Sequence, residues 1–126
     1  IARADTARGR LYHRMVEFFR RYDLLLCPAA CVPPFDVRTR WLTALDGVTF
    51  DNYVEWIRIT YAITLTSCPV IAVPCGFTGN GLPVGLQMIG RPRGEADLLA
   101  AAGAFEEMMG LTGLLPVDPR APAKPA

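Results

Sequence analysis

Residues able to do chemistry are few in this chain, and they are scattered. Cys75 precedes Gly76 at the end of the apolar run Val70-Ile71-Ala72-Val73-Pro74. It is the one nucleophile in a suggestive place. A cysteine attacks as its thiolate and needs a base or a positive charge beside it. The only histidine is His13, far upstream in a helical stretch. No spacing rule joins the two, and a structural thiol is the commoner role for a cysteine in an apolar strand. Cys27-Pro-Ala-Ala-Cys31 could offer two thiolates to a metal. Structural zinc needs four ligands, commonly from two close cysteine pairs. Cys68 and Cys75 do not make a second pair, so no metal is expected. Gly76, Gly79, Gly81 and Gly85 fit neither a Gly-Lys-Ser/Thr phosphate loop nor Gly-x-Gly-x-x-Gly. They read as turn and close-packing residues, and no cofactor is expected. Gln87 sits among apolar strand residues. A buried amide must find partners, so it reads as a core hydrogen-bond staple to neighbouring backbone rather than a substrate contact. Trp56, Ile57 and Thr60 are large or apolar and adjoin an irregular segment, which suits a pocket wall as well as ordinary packing.

The elements that must position these residues follow from hydrophobic spacing. Ala2 to Arg21 repeats Leu11, Met15, Phe18 and Tyr12, Val16, Phe19 at helical intervals. Its arginines fall mostly on the opposite side and read as a solvated face rather than a nucleic-acid surface. Tyr22 to Pro28, with three leucines in a row, reads as a short buried strand closed by proline. Ala29 to Asn52 has no period and reads as loop, long for a compact domain. Tyr53 to Leu65 carries Val54, Ile57, Tyr61 and Leu65 at helical spacing, against a high content of β-branched residues. Val70 to Val73 reads as a strand buried on both faces. Val84 to Ile89 alternates as a second strand, joined to the first by a hairpin loop of more than two residues around Gly79-Asn80-Gly81. Pro74 should then sit at a strand end or on an unpaired side. Glu95 to Met109 is a helix with acidic residues in its first turn and Gly110 as its stop. Residues 116–126 form a Pro-rich tail behind a domain over 1–115.

These residues in this order resemble the C-terminal part of the amidase signature family. The resemblance rests on Pro69-Val-Ile-Ala-Val-Pro-Cys-Gly76, a Gly-rich turn, Gly81-Leu-Pro-Val-Gly-Leu-Gln-Met-Ile-Gly90, then Arg91-Pro92 and Ala104-Phe105-Glu106. It runs from about Tyr22 to Met109. It implies an α/β fold, a mixed sheet flanked by helices, in which Asp23-x-Leu25-x-x-Pro28 is a strand. It implies an enzyme that hydrolyses carboxamides, or transfers ammonia from them, with a Ser nucleophile, a second Ser in a cis peptide, a Lys base and backbone N–H groups as oxyanion hole. Those residues belong to the family's N-terminal and central parts, so no catalytic residue is expected in this chain and no activity from it alone. The implied partners are a small-molecule amide substrate and the missing N-terminal part of the same protein. The resemblance also places Trp56, Ile57 and Thr60 on the acyl side of the substrate pocket. Some relatives hold a substrate amine with an acidic residue near Ile57; an isoleucine there disfavours a glutamine-type substrate. Relatives usually read Asn-Leu-x-Gly-x-Pro where this chain has Thr64-Leu65-Thr66-Ser67-Cys68-Pro69, which puts the roles of that Asn and Gly in question. A fragment of an amidotransferase subunit is one alternative. A stand-alone, non-catalytic binding domain is another.

Bulk properties fit a piece of something larger. The formal net charge is +1 and 52% of residues are hydrophobic. Counting the glycines and leaving out the tyrosines, about 58% fall in a class that usually makes up ~45–50%. So small a domain should not need that excess, and surface meant to be covered is expected. Ile1 is not an initiator methionine, and an N-terminal part is expected to be lost. No run is long and apolar enough for a membrane span, and no secretory leader is evident. Four cysteines without such a leader point to free thiols in the cytoplasm. Unpaired sheet edges leave a homodimer open.

Overall fold

The computed structural model describes residues 2–111. Helix α1 (Ala2–Phe18) ends earlier than its sequence pattern suggests, passing into a turn at Phe19–Arg21. Strand β1 (Leu25–Pro28) follows, shorter than the apolar run that predicts it. In the stretch read as loop, two short strands pair: β2 (Ala44–Leu45) and β3 (Val48–Thr49). Asp46 and Gly47 join them with φ of 49° and 79°. Two successive positive φ values make the primed turn that matches the twist of a two-residue hairpin, and Asp-Gly is a favoured pair for it.

The helix expected over Tyr53–Leu65 is broken into α2 (Tyr53–Trp56), α3 (Arg58–Tyr61) and a 3₁₀ turn (Ala62–Thr66). Asn52 caps α2 by accepting from Val54 N–H, and Glu55 reaches back to accept from Asp51 N–H at 2.8 Å. The break falls at Ile57, whose φ of −88° and ψ of 13° leave the helical basin. Three threonine hydroxyls donate to carbonyls three residues back: Thr60 to Ile57, Thr64 to Tyr61 and Thr66 to Ile63, each at 2.6 Å. Such side-chain bonds compete with the regular ladder, and the β-branched residues add crowding. Helical spacing alone does not register that competition.

Strands β4 (Val70–Phe77) and β5 (Pro83–Ile89) form the expected hairpin with a five-residue link, 78–82. The three-stranded sheet has the order β1-β5-β4, and both pairings are antiparallel. The reading of Val70–Val73 as buried on both faces is corrected: Val73 is 3% exposed, but Val70 is 39% exposed. β4 is an edge strand among the described residues, so only its inner row is covered. Pro74 lies within β4, beside a register shift between Pro74 and Gly76. An edge strand at a bulge tolerates a residue without an N–H. Gly76 takes φ of 131° there, which a side chain would resist.

Helix α4 (Glu95–Met109) packs on one sheet face. Val73, Met88, Leu98 and Ala102 form its core, with Ile71, Leu86 and Phe105 around them. On β5, Gln87 and Ile89 alternate to the other face, where Ile89 is fully buried. Gly94, before α4, is fixed by packing: a Cβ there would lie 2.5 Å from Arg91 Cγ and 3.0 Å from Arg91 O. The predicted boundary at 115/116 and the Pro-rich tail lie outside the described residues. Within them, no helix is long and apolar enough to cross a membrane.

Candidate functional site

At the end where β1 leaves the sheet and β5 enters it, the chain from Ala29 bends away and leaves a groove of about 420 Å³. Its floor is Pro83, Val84 and Gly85, and its walls are the Pro28–Phe35 strap and Trp56. Volumes of roughly 300–1,000 Å³ are usual for small-molecule sites. Gly85 lets strap and floor meet closely: Ala29 N–H donates to Gly85 O at 3.0 Å, and a Cβ at Gly85 would lie 3.0 Å from Ala29 Cβ. The strap is tied to α2 at two points. Cys31 Sγ donates to Trp56 O at 3.2 Å, and the rings of Phe35 and Trp56 meet edge to face at 5.7 Å. Just past Phe35, Arg38 Nε donates to Asp36 Oδ1 at 3.0 Å. That guanidinium, with the Arg38 backbone N–H, holds the Asp36 carboxyl below its usual range.

Trp56 carries the one irregularity of the wall. Its Nε1–H is buried and has no partner among the described residues. An unmade hydrogen bond of this kind costs about 1–3 kcal/mol, and native structures rarely leave one without a reason. Trp56 also borders a second cleft of about 240 Å³, with Glu55, Arg58 and Phe50.

The three residues expected to share a pocket wall are separated. Trp56 borders the groove, whereas Ile57 and Thr60 are not among the residues bordering either cleft. Ile57 is half-buried at the break, and Thr60 is exposed with its hydroxyl on Ile57 O. Sequence reasoning did not single out Phe35, weighed Cys31 only as a metal ligand, and read the strap as part of a long loop that folds over a neighbour or forms part of a site. The signal was present in Pro33-Pro34, a stiff lead-in to an aromatic ring within a long irregular segment.

Behind the groove, Gln87 is 6% exposed and donates through Nε2 to Pro28 O at 3.1 Å and Ile59 O at 3.2 Å. This is the expected core staple to backbone. It fixes α3 and the end of β1 to the middle of β5, and so sets where α2 and Trp56 stand. Cys75 makes no hydrogen bond with His13 among the described residues; His13 sits edge-on to Tyr12 on α1. Burial pushes the Cys27 thiol above its usual pKa, which disfavours the thiolate. The four cysteines are free thiols.

The family model for amidases matches residues 1–99. The chain belongs to the amidase family. An acylamidase of Rhodococcus erythropolis is 34% identical over 94% of this chain and 25% of its own length. A glutamyl-tRNA(Gln) amidotransferase subunit of Myxococcus xanthus is 38% identical over 82% of this chain and 20% of its own. The structure of a bacterial aryl acylamidase of the amidase signature family superposes with a TM-score of 0.66 at 33% identity, over 79% of this chain and 21% of that one. The chain thus spans about a fifth to a quarter of the relatives it matches. The α/β fold expected from the resemblance is the fold of this amidase family member.

Proposed function

We propose that residues 1–115 are the C-terminal part of an amidase that hydrolyses carboxamide C–N bonds, other than peptide bonds, to carboxylate and ammonia or amine. The apolar groove between β5, the strap and Trp56 carries this reading. A carboxamide with an apolar acyl or aryl group needs such a surface beside the bond to be cut, and burial there contributes about 25 cal/mol per Å². In this reading Trp56 is the wall of the acyl side. Ile57 and Thr60 act behind it, through the helix break that sets the angle of α2. The serine and lysine chemistry is supplied by the rest of the enzyme, so the 126 residues alone are inactive. The small-molecule amide and the larger part of the same protein are the partners.

A role as part of an amidotransferase is a second reading, supported by the 38% identical relative. The described residues lining the groove weigh against it, because none is a carboxylate to pair with the amine of glutamine. Assay of the whole protein on acetanilide, benzamide and glutamine separates the two. Release of aniline or ammonia from the first two, weakened through KM by Trp56→Ala, fits the hydrolase. Activity on glutamine alone contradicts it. Ile57→Asp should shift the substrate range toward amides bearing an amine; an unchanged range would count against a role for Ile57.

A further inference from the structure

Gln87 does not line the groove, yet it is bonded to both of its walls. It is only 6% exposed in this chain, so its burial needs no further part of the protein. The β1–β5 and β4–β5 pairings run through residue 87 by backbone alone. Its side chain is therefore not needed for the ladder. Both acceptors of Nε2 are carbonyls, which cannot donate, so the amide has one orientation. Those acceptors belong to opposite sides of the groove. Pro28, whose carbonyl lies 3.1 Å from Nε2, opens the strap and borders the groove itself. Ile59, whose carbonyl lies at 3.2 Å, stands in α3 just past Trp56. The link between them is short and closed: Thr60 donates to Ile57 O through its N–H at 2.9 Å and its hydroxyl at 2.6 Å. One planar amide thus refers strap and Trp56 to the same point of β5, the strand that carries the Gly85 floor. Farther along the strap, Cys31 and the Phe35 ring join the same walls at Trp56. A thiol is a weak donor, so the amide is the firmer polar tie.

We infer that Gln87 is a positioning residue of the site: it fixes the separation of strap and Trp56, and with it the fit of the acyl group between them. This rests on the reading of the groove as the acyl side of an amidase site. Without the amide, the walls keep only their outer ties and hold an acyl chain less closely. The reacting groups belong to the rest of the enzyme, so the loss falls on KM rather than kcat. It is largest for an acyl group long enough to fill the groove.

The test uses the whole protein with Gln87→Met, which keeps the length of the side chain and removes both donors. Two readouts are taken. The first is KM and kcat for hexananilide and acetanilide. The second is the indole N–H resonance of Trp56 in isotope-labelled protein, assigned with Trp56→Phe, which needs no catalysis. Gln87→Met should raise KM for hexananilide about fivefold, KM for acetanilide by less, and leave kcat within about twofold. The Trp56 resonance should move, and that of Trp41, which is not among the residues bordering either cleft, should stay. A merely structural role would lower kcat for both anilides alike, through loss of folded protein, and leave both KM values in place. Gln87→Asn keeps an amide on a shorter stem and should fall between parent and Gln87→Met; it carries the test if Gln87→Met does not fold. An unchanged KM for hexananilide, or a Trp56 resonance that stays in place, overturns the positioning role even if amide hydrolysis is intact. If no form hydrolyses an amide, the proposed activity fails, and titration with hexanoate followed at the Trp56 resonance decides the role of Gln87. Weaker hexanoate binding in the variant than in the parent supports it; equal binding, or none in either, overturns it.

Discussion

The β4–β5–α4 half and the α1–strap half of this chain are held together differently. In the first, Val73, Met88, Leu98 and Ala102 interlock, and Ile89 is fully buried on the far face. In the second, α1 buries no residue, although its apolar stripes are clear in the sequence. Val37 is 96% exposed and Val48 58% exposed. Both halves carry apolar residues at regular spacing, but among the described residues only the first half buries them fully, while the α1 stripe stays half-buried. The hydrophobic effect requires a surface to bury against, so the second half reads as built to be covered. Leu99 and Met108 on the outer side of α4 are also uncovered, at 61% and 73% exposed.

The sharpest way to break this contrast is to hollow the closed half. Ile89→Ala should destabilise the chain by about 2–5 kcal/mol, as cavity-forming core truncations do, read from urea unfolding. Leu11→Ala on α1 should cost far less in the same chain. Comparable losses would erase the distinction between the halves.

Gly94→Ala ranks next. The new Cβ would meet the Arg91 carbonyl as well as its side chain, and overpacking of that kind costs about 1–3 kcal/mol. Gln87→Leu removes both staples at once and leaves the Pro28 and Ile59 carbonyls without them. A loss of about 1–3 kcal/mol is expected, with faster amide hydrogen exchange in α3 but not in α4. Uniform exchange changes would mean that Gln87 serves the sheet alone.

Ser67 gives a smaller effect of opposite sign. It holds φ of 58° and ψ of 21°, in the left-handed region that favours glycine. Relief of left-handed strain is worth about 1–2 kcal/mol and the added chain entropy of glycine costs about 0.5–1. Ser67→Gly should therefore stabilise by about 0–1.5 kcal/mol in thermal unfolding. Smallest of all is Leu99→Ser. It should leave the 126-residue chain within about 0.5 kcal/mol, yet destabilise the whole protein if that surface is covered there. Equal, negligible effects in both would show that Leu99 faces water throughout.

Sequence and structure agree most where local and tertiary signals coincide. The α4 bounds and its Gly110 stop, the β4–β5 hairpin and the Gln87 staple are all legible, because period, caps and buried-amide logic point the same way. The broken segment over 53–66 is not legible from its period, since threonine-to-carbonyl bonds decide it and leave no mark on apolar spacing. Asp46-Gly47 is a readable hairpin signal, masked by the short flanking strands. The groove is half legible. Trp56 stands out as large and apolar, but its partner Phe35 lies 21 residues earlier and is brought to it by the strap. Such a meeting depends on tertiary contact that no local pattern encodes.

In the proposed enzyme this chain supplies a groove wall while the rest of the amidase supplies the reacting groups. The most direct measurement is turnover of acetanilide by the purified 126-residue chain beside the whole protein at equal concentration. Aniline release by the whole protein, and none above the buffer rate by the chain, is the predicted result. Turnover by the chain alone would contradict it.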